Sequence, residues 1–205
     1  MPPVRTERGL DRLVNFSDAV VAIAITLLVL PLVDAAPSLA DRTLGEFLRE
    51  NLSMVLAFGL SFMLISRYWL RHHLIFEHVR DYDATLARLN VIWLAVVVLV
   101  PFTQYGLSAA QSSRPDLDGM YIGNLLAISV ATVVLERYLV RHPELLRDNV
   151  IHDDIRPPVV EAVLLALVLV LAVLVPRVGP GWLVLLLLPK PIRQLSGRLR
   201  VRRRG

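Results

Sequence analysis

The chain has 205 residues, of which 55% are hydrophobic, at a mean hydropathy of +0.58. That is too apolar for a soluble domain, whose core needs a polar skin of comparable size, so lipid is the expected solvent. Cysteine is absent, which excludes a disulfide framework and a thiolate metal site; the net charge of +4 is small, yet the 22 Lys and Arg are unevenly distributed.

A backbone that crosses hydrocarbon must satisfy its own hydrogen bonds, so long uncharged runs read as helices. Six such runs occur, at 19–33, 51–66, 89–113, 119–135, 162–176 and 178–189. Several are shorter than the roughly 20 residues of a full span, so flanking polar residues must extend them. The sixth is interrupted by Gly179, Pro180 and Gly181 at its start and Pro189 at its end. With the N-terminus inside, only Arg42, Arg49, Arg114 and Arg177 fall outside, and the other 18 basic residues fall inside. That asymmetry is what the positive-inside rule requires of six spans with both termini cytoplasmic. The expectation is an all-α integral membrane protein in which residues 1–205 form one six-helix domain ending in a basic cytoplasmic tail, 190–205.

The first run follows Arg5, Arg8 and Arg12 and ends near Val33-Asp34-Ala35, which imitates a secretory signal with a cleavage site. Ser17 and Asp18 interrupt the approach to the apolar run, and loss of the segment would leave the next loop on the wrong side, so retention is expected. Arg12 and Asp18 place opposite charges at a membrane entrance, where each needs a partner. Six residues separate them, about 240° around a helix, so each must find that partner on another segment. Ser17 or Asp18 could alternatively cap the helix. Ile23, Leu27 and Leu30 recur at i, i+4 and i+7, with Asp34 at i+11, so they share one stripe with Thr26 beside it. Ordinary helix packing is the bland explanation of that stripe.

Partners for the first helix are sought in Trp69-Leu-Arg71-His72-His73-Leu-Ile-Phe76, at the end of the second span, and in Asn90 and Trp93 of the third. Adjacent histidines point in different directions, so one of His72 and His73 joins a given network; His73 is the one assigned to it. His72, His73 and His78 lack an i, i+4 pair on one face and clustered carboxylates, which argues against a metal site. Gly119 and Gly123 in the fourth span suggest a close helix contact. The basic run at 198–204 lies so near the last span that it reads as an orientation signal and lipid tether, and no nucleic-acid partner is expected.

Arg12, Phe16, Ser17 and Asp18, followed by Ala-Ile-Ala-Ile-Thr-Leu-Leu, resemble the signature of the transmembrane protein 175 family of potassium channels. Trp69 with His72 and His73, Asn90, and Pro101-Phe102 reinforce the likeness along the chain. Animal members carry the six-span unit twice; here Phe-Ser-Asp occurs once, as in prokaryotic members that assemble as tetramers. The resemblance implies a homotetramer whose first helices line the pore. It places Ile23 at a narrow apolar constriction, Thr26 at the layer associated with potassium preference, and Leu27 and Leu30 at further pore-facing layers. Arg12, Phe16, Ser17, Asp18, His73, Asn90 and Trp93 fall in a structural polar network. The family contrasts with channels that select through a Thr-Val-Gly-Tyr-Gly loop, which this sequence lacks. Pro31 follows the stripe directly, so the helix is expected to kink or stop early, which bears on where Asp34 lies.

A ring of four Ile23 side chains would form a dry neck able to gate by dewetting, and four Thr26 hydroxyls would offer oxygen ligands to a partly hydrated cation. Without fixed anionic charge at the neck, selectivity among monovalent cations should be modest. Asp34, with Asp41 and Glu46 in the same loop, would concentrate cations at the outer mouth. The resulting expectation is a passive potassium channel of a bacterial-type inner membrane, without enzymatic activity, with no cofactor beyond permeating potassium. A secondary transporter would favour a mid-membrane charge or a broken helix, and the central spans are expected to hold no buried charge. An intramembrane hydrolase using Ser17, His73 and Asp18 lacks an oxyanion-forming glycine motif. A non-conducting structural membrane protein is the remaining alternative. No regulatory domain is expected, since the longest cytoplasmic connections are too short to fold alone.

Overall fold

The computed structural model describes residues 7–109 and 114–147, together with residues 163, 166 and 167. The expected fifth and sixth spans and the basic tail lie outside the described residues. Those described form helices and short 3-10 turns, and the sole extended pairing among them is an isolated bridge between Val79 and Leu146. Among the described residues, four helical stretches are long and apolar enough to cross a membrane: Arg8–Asp41, Leu52–Glu77, Ala84–Gly106 and Pro115–Arg141. The first, second and fourth are longer than their uncharged runs because polar residues are drawn into the helix ends, whereas the third starts five residues earlier than its run and stops seven residues sooner.

The first stretch is divided. Helix α1 (Glu7–Leu27) gives way to α2 (Leu30–Ala35) and a 3-10 turn, Ala36–Asp41. The cause is Pro31, which has no N–H to return to the Leu27 carbonyl. The backbone tightens ahead of it, with Leu28 N donating to Ile25 O at 3.3 Å and Val29 N to Thr26 O at 3.4 Å. Helix α3 (Leu44–Glu50) opens on a capping box in which the Thr43 side chain accepts from Glu46 N while Glu46 accepts from Thr43 N. Asn51 closes it, donating from Nδ2 to Phe47 O, and α4 (Leu52–Glu77) follows at once.

The third stretch is divided as well, into α5 (Ala84–Val98) and α6 (Val100–Ala109), with Pro101 one residue inside the second piece. Backbone groups exposed by such a break must be satisfied by neighbours in a membrane. Asn124 of α7 (Pro115–Arg141) supplies them: its Nδ2 donates to Val96 O at 3.1 Å and its Oδ1 accepts from Val100 N at 3.2 Å, in the amide orientation that satisfies both ends.

One apolar core joins all four stretches, with Val21 and Ala24 of α1 and Leu28 just past its end, Leu64 and Tyr68 of α4, Trp93 and Val97 of α5, and Ile122, Leu125 and Ile128 of α7. A second, on the arginine-rich side, joins Leu10, Phe76, Val79, Leu86, Leu139 and Leu146. Hydrogen bonds run down the α7 interface: Ser61 Oγ with Tyr121 Oη at 2.7 Å, Tyr68 Oη with Ser129 Oγ at 2.8 Å, and Trp93 Nε1 to Thr132 Oγ1 at 3.0 Å. Side-chain bonds of this kind associate helices where lipid offers no hydrophobic drive.

Two expectations need correction. A Cβ built on Gly119 or Gly123 meets nothing within 4 Å, so this pair makes no close helix contact among the described residues. Buried charge is present as well, just beyond the ends of the fourth apolar run, where Asp118 and Glu136 are both buried. Glu136 Oε1 takes Arg71 Nε at 2.7 Å, so that carboxylate is held by a charge-assisted bond. The real close approach of a glycine is at Gly9, where a Cβ would stand 2.6 Å from the Tyr82 hydroxyl.

Candidate functional site

The first helix has two apolar faces of opposite fate. Ser17, Val21, Ala24 and Leu28 are buried against the other helices, and Ala24 is 1% exposed; its neighbour Ile23 is 61% exposed. Phe16, Ala19, Thr26, Leu27, Leu30, Val33 and Asp34 are exposed with Ile23. The stripe expected from periodicity is therefore the face that a single chain leaves uncovered. The break at Pro31 does not rotate Asp34 off that face, because Leu28 and Pro31 stay buried while Leu30 and Asp34 stay exposed. Thr26 Oγ1 donates to Ile23 O at 2.8 Å. Its proton is thereby committed to the backbone, and its lone pairs remain to accept or to coordinate.

The buried face carries the polar groups. Ser17 Oγ donates to Leu13 O at 2.8 Å and accepts from Asn90 Nδ2 at 2.8 Å. Asn90 Oδ1 then faces His72 Nε2 at 2.7 Å. Since that amide oxygen only accepts, Nε2 carries the proton, an assignment fixed by the network. The His72 ring is stacked between Trp93, at 4.1 Å between centroids, and Phe76, at 4.5 Å. Asp18 receives a separate donor, Trp69 Nε1, at 2.8 Å.

The geometry revises the expected network in three places. His72 occupies the histidine position assigned to His73; the latter stacks on Trp69 at 5.6 Å, lies 3.5 Å from Glu77, and has an unpartnered Nδ1. Arg12 is exposed and makes no ion pair among the described residues, so its expected partner is not within this part of the chain. Phe16 is 58% exposed and stands outside the network. Trp69 and His72 were both signalled in the sequence by their position on one face of the second span, three residues apart; adjacency to His73 hid which histidine turned inward. Among the described residues Ser17 bonds no histidine; its partners are Leu13 O and the Asn90 amide, neither of which is the base a nucleophilic serine needs.

At the far end of the stripe, Asp34 accepts from Tyr105 Oη at 3.1 Å, a link with no sequence signal. Glu46 is engaged by its capping partner, and the backbone and hydroxyl of Thr43 hold its carboxyl below the ordinary glutamate range. Asp41 is exposed. Among the described residues no group of three or more His, Asp or Glu could hold a metal ion.

The family described as Endosomal/lysosomal potassium channel TMEM175 matches residues 12–101. A Gallus gallus protein named Endosomal/lysosomal proton channel TMEM175 is 25% identical over 142 residues, which are 68% of this chain and 28% of that protein. A Streptomyces collinus protein named a potassium channel is 39% identical over 93 residues, 44% of each chain. The chain thus spans less than a third of the animal relative and under half of the bacterial one. The crystal structure of a lysosomal potassium-selective channel TMEM175 homolog from Chamaesiphon minutus has a similar fold, with a TM-score of 0.68 at 27% identity over 88% of this chain and 95% of that one.

Proposed function

From the match of residues 12–101 to the transmembrane protein 175 family, we propose that the chain is a member of that family and a passive potassium channel formed by four copies around one axis. One observation carries the reading: the stripe of Ile23, Thr26, Leu27, Leu30 and Asp34 is exposed although the opposite face of the same helix is fully packed. A lipid-facing helix has no use for a hydroxyl and a carboxylate in its stripe. A helix that lines a hole does. Closed cyclic assembly supplies the missing cover, and it offers exposed Arg12 a partner on a neighbouring chain.

In this arrangement Ile23 forms the apolar neck and Thr26 the oxygen layer beside it, with Leu27 and Leu30 as further layers. Water leaves a narrow apolar passage readily, so the neck closes by dewetting and opens by widening. Thr26 Oγ1, its proton held by Ile23 O, presents lone pairs to a cation that has shed part of its hydration. Discrimination among monovalent cations is modest, since no charge is fixed at the neck. The six-span unit, the inner-membrane location and the cytoplasmic termini belong to the same proposal.

Reversal potentials of purified protein in liposomes, under crossed potassium, sodium and proton gradients, test it. A reversal that follows potassium supports the reading. One that follows protons would assign the activity named for the Gallus gallus relative, and flux that requires a second, coupled solute would make the protein a transporter.

A further inference from the structure

The contact between Asp34 and Tyr105 has no part in the pore described above. It is built by two separate breaks. Pro31 turns the end of the first stretch into α2, which carries Asp34; the break at Leu99 turns the end of the third into α6, which carries Tyr105. The two short helices pack on each other, and Tyr105 Oη reaches Asp34 Oδ2 at 3.1 Å across 71 residues of sequence. Both side chains are exposed, so neither needs the other to escape an apolar core.

A phenol that donates to one carboxylate oxygen leaves the charge intact and restricts the rotamers of the group that carries it. We infer that Tyr105 is a positioning residue for the outer mouth, the end opposite the arginine-rich side, holding the Asp34 carboxylate on the stripe that continues from Leu30 so that its second oxygen meets entering cations. The inference rests on the pore reading. In a fourfold ring, four oriented carboxylates raise the local cation concentration without binding any ion tightly. A carboxylate free to swing away would do this less well.

Single-channel currents of the full-length protein in planar bilayers test it, with potassium chloride at about 10 mM and about 1 M, where the screening length falls from about 30 Å to about 3 Å. At low salt, Asp34→Asn should lower the current entering from the Asp34 side several-fold, and Tyr105→Phe about twofold. Both deficits should vanish at high salt. The double variant should match Asp34→Asn alone, since Tyr105 acts through that carboxylate. A low-salt deficit in Asp34→Asn with none in Tyr105→Phe overturns the positioning role while leaving the pore intact. Additive effects, or a Tyr105→Phe protein that fails to assemble, make Tyr105 a packing residue. Absence of any salt-dependent change in Asp34→Asn removes Asp34 from the mouth, and absence of current in the unaltered protein overturns the pore reading itself.

Discussion

The indole Nε1 of Trp69 donates to Asp18 Oδ1 at 2.8 Å, tying the second span to the first. The partner of this carboxylate is a neutral donor, and Arg12 stands apart in the open. Deleting Asp18 therefore leaves no buried cation behind. Trp69→Phe should cost about 1.5–3 kcal/mol, the range for hydrogen bonds to charged groups, with Asp18 only half buried and the lower end expected. Asp18→Asn, which keeps an acceptor oxygen, should be milder. Thermal unfolding in detergent reads both, and an unchanged midpoint in Trp69→Phe would make the bond dispensable.

Asn90 is fully buried and bonds Ser17 and His72 at once. Asn90→Leu leaves the His72 N–H without an acceptor, while Ser17 keeps its bond to Leu13 O. A loss of about 1–3 kcal/mol is expected, the penalty of one buried orphan. Adding His72→Phe removes the orphan and keeps a flat ring between Trp93 and Phe76, so the double variant should regain stability. If it is weaker than Asn90→Leu alone, the histidine has another partner.

The Arg71–Glu136 pair joins the second and fourth spans, with the glutamate side chain wholly buried and the arginine side chain 28% exposed. Arg71→Met removes a charged partner from a wholly buried carboxylate and should be clearly destabilising, by at most about 3–5 kcal/mol. Glu136→Gln leaves the arginine able to reach water and should cost less. Arg71→Met with Glu136→Leu should recover most of the loss. Equal losses in the two single variants would contradict this ordering.

Acid should loosen α3. Because Thr43 lowers the pKa of Glu46 in the folded state, the cap contributes stability above the ordinary glutamate pKa, about 4.3, and loses it as pH falls through the lower folded value. Amide hydrogen exchange over residues 44–50 should accelerate there. Glu46→Gln keeps an acceptor without titrating, so it should abolish the step; a step that persists comes from another group.

Within the proposed pore, Ile23→Asn should wet the neck and raise current, whereas Thr26→Val keeps the shape and removes the hydroxyl oxygens, lowering potassium permeability relative to sodium. The first effect is read as conductance and the second as a shifted reversal potential. If both variants behave as the unaltered protein does, the first helix does not line the path.

Much of this was legible along the chain. The apolar runs give the four described membrane-capable stretches because lipid demands them, and Pro31 announces the end of α1 because it lacks a donor. The face shared by Ile23, Leu27 and Leu30 follows from the helical period alone. That period sets angles about one axis and says nothing of which neighbour stands at each angle. His72 and His73 differ by about 100° around α4, and only the arrival of Asn90 from the third span decides between them. Glu136 finds Arg71 across 65 residues, and Ser17 finds Asn90 across 73. Spans and stripes arise from local hydrogen bonding and the solvent, so sequence alone determines them. Partners depend on how separate helices are packed and rotated against each other, and that choice is made by the summed fit of the whole bundle.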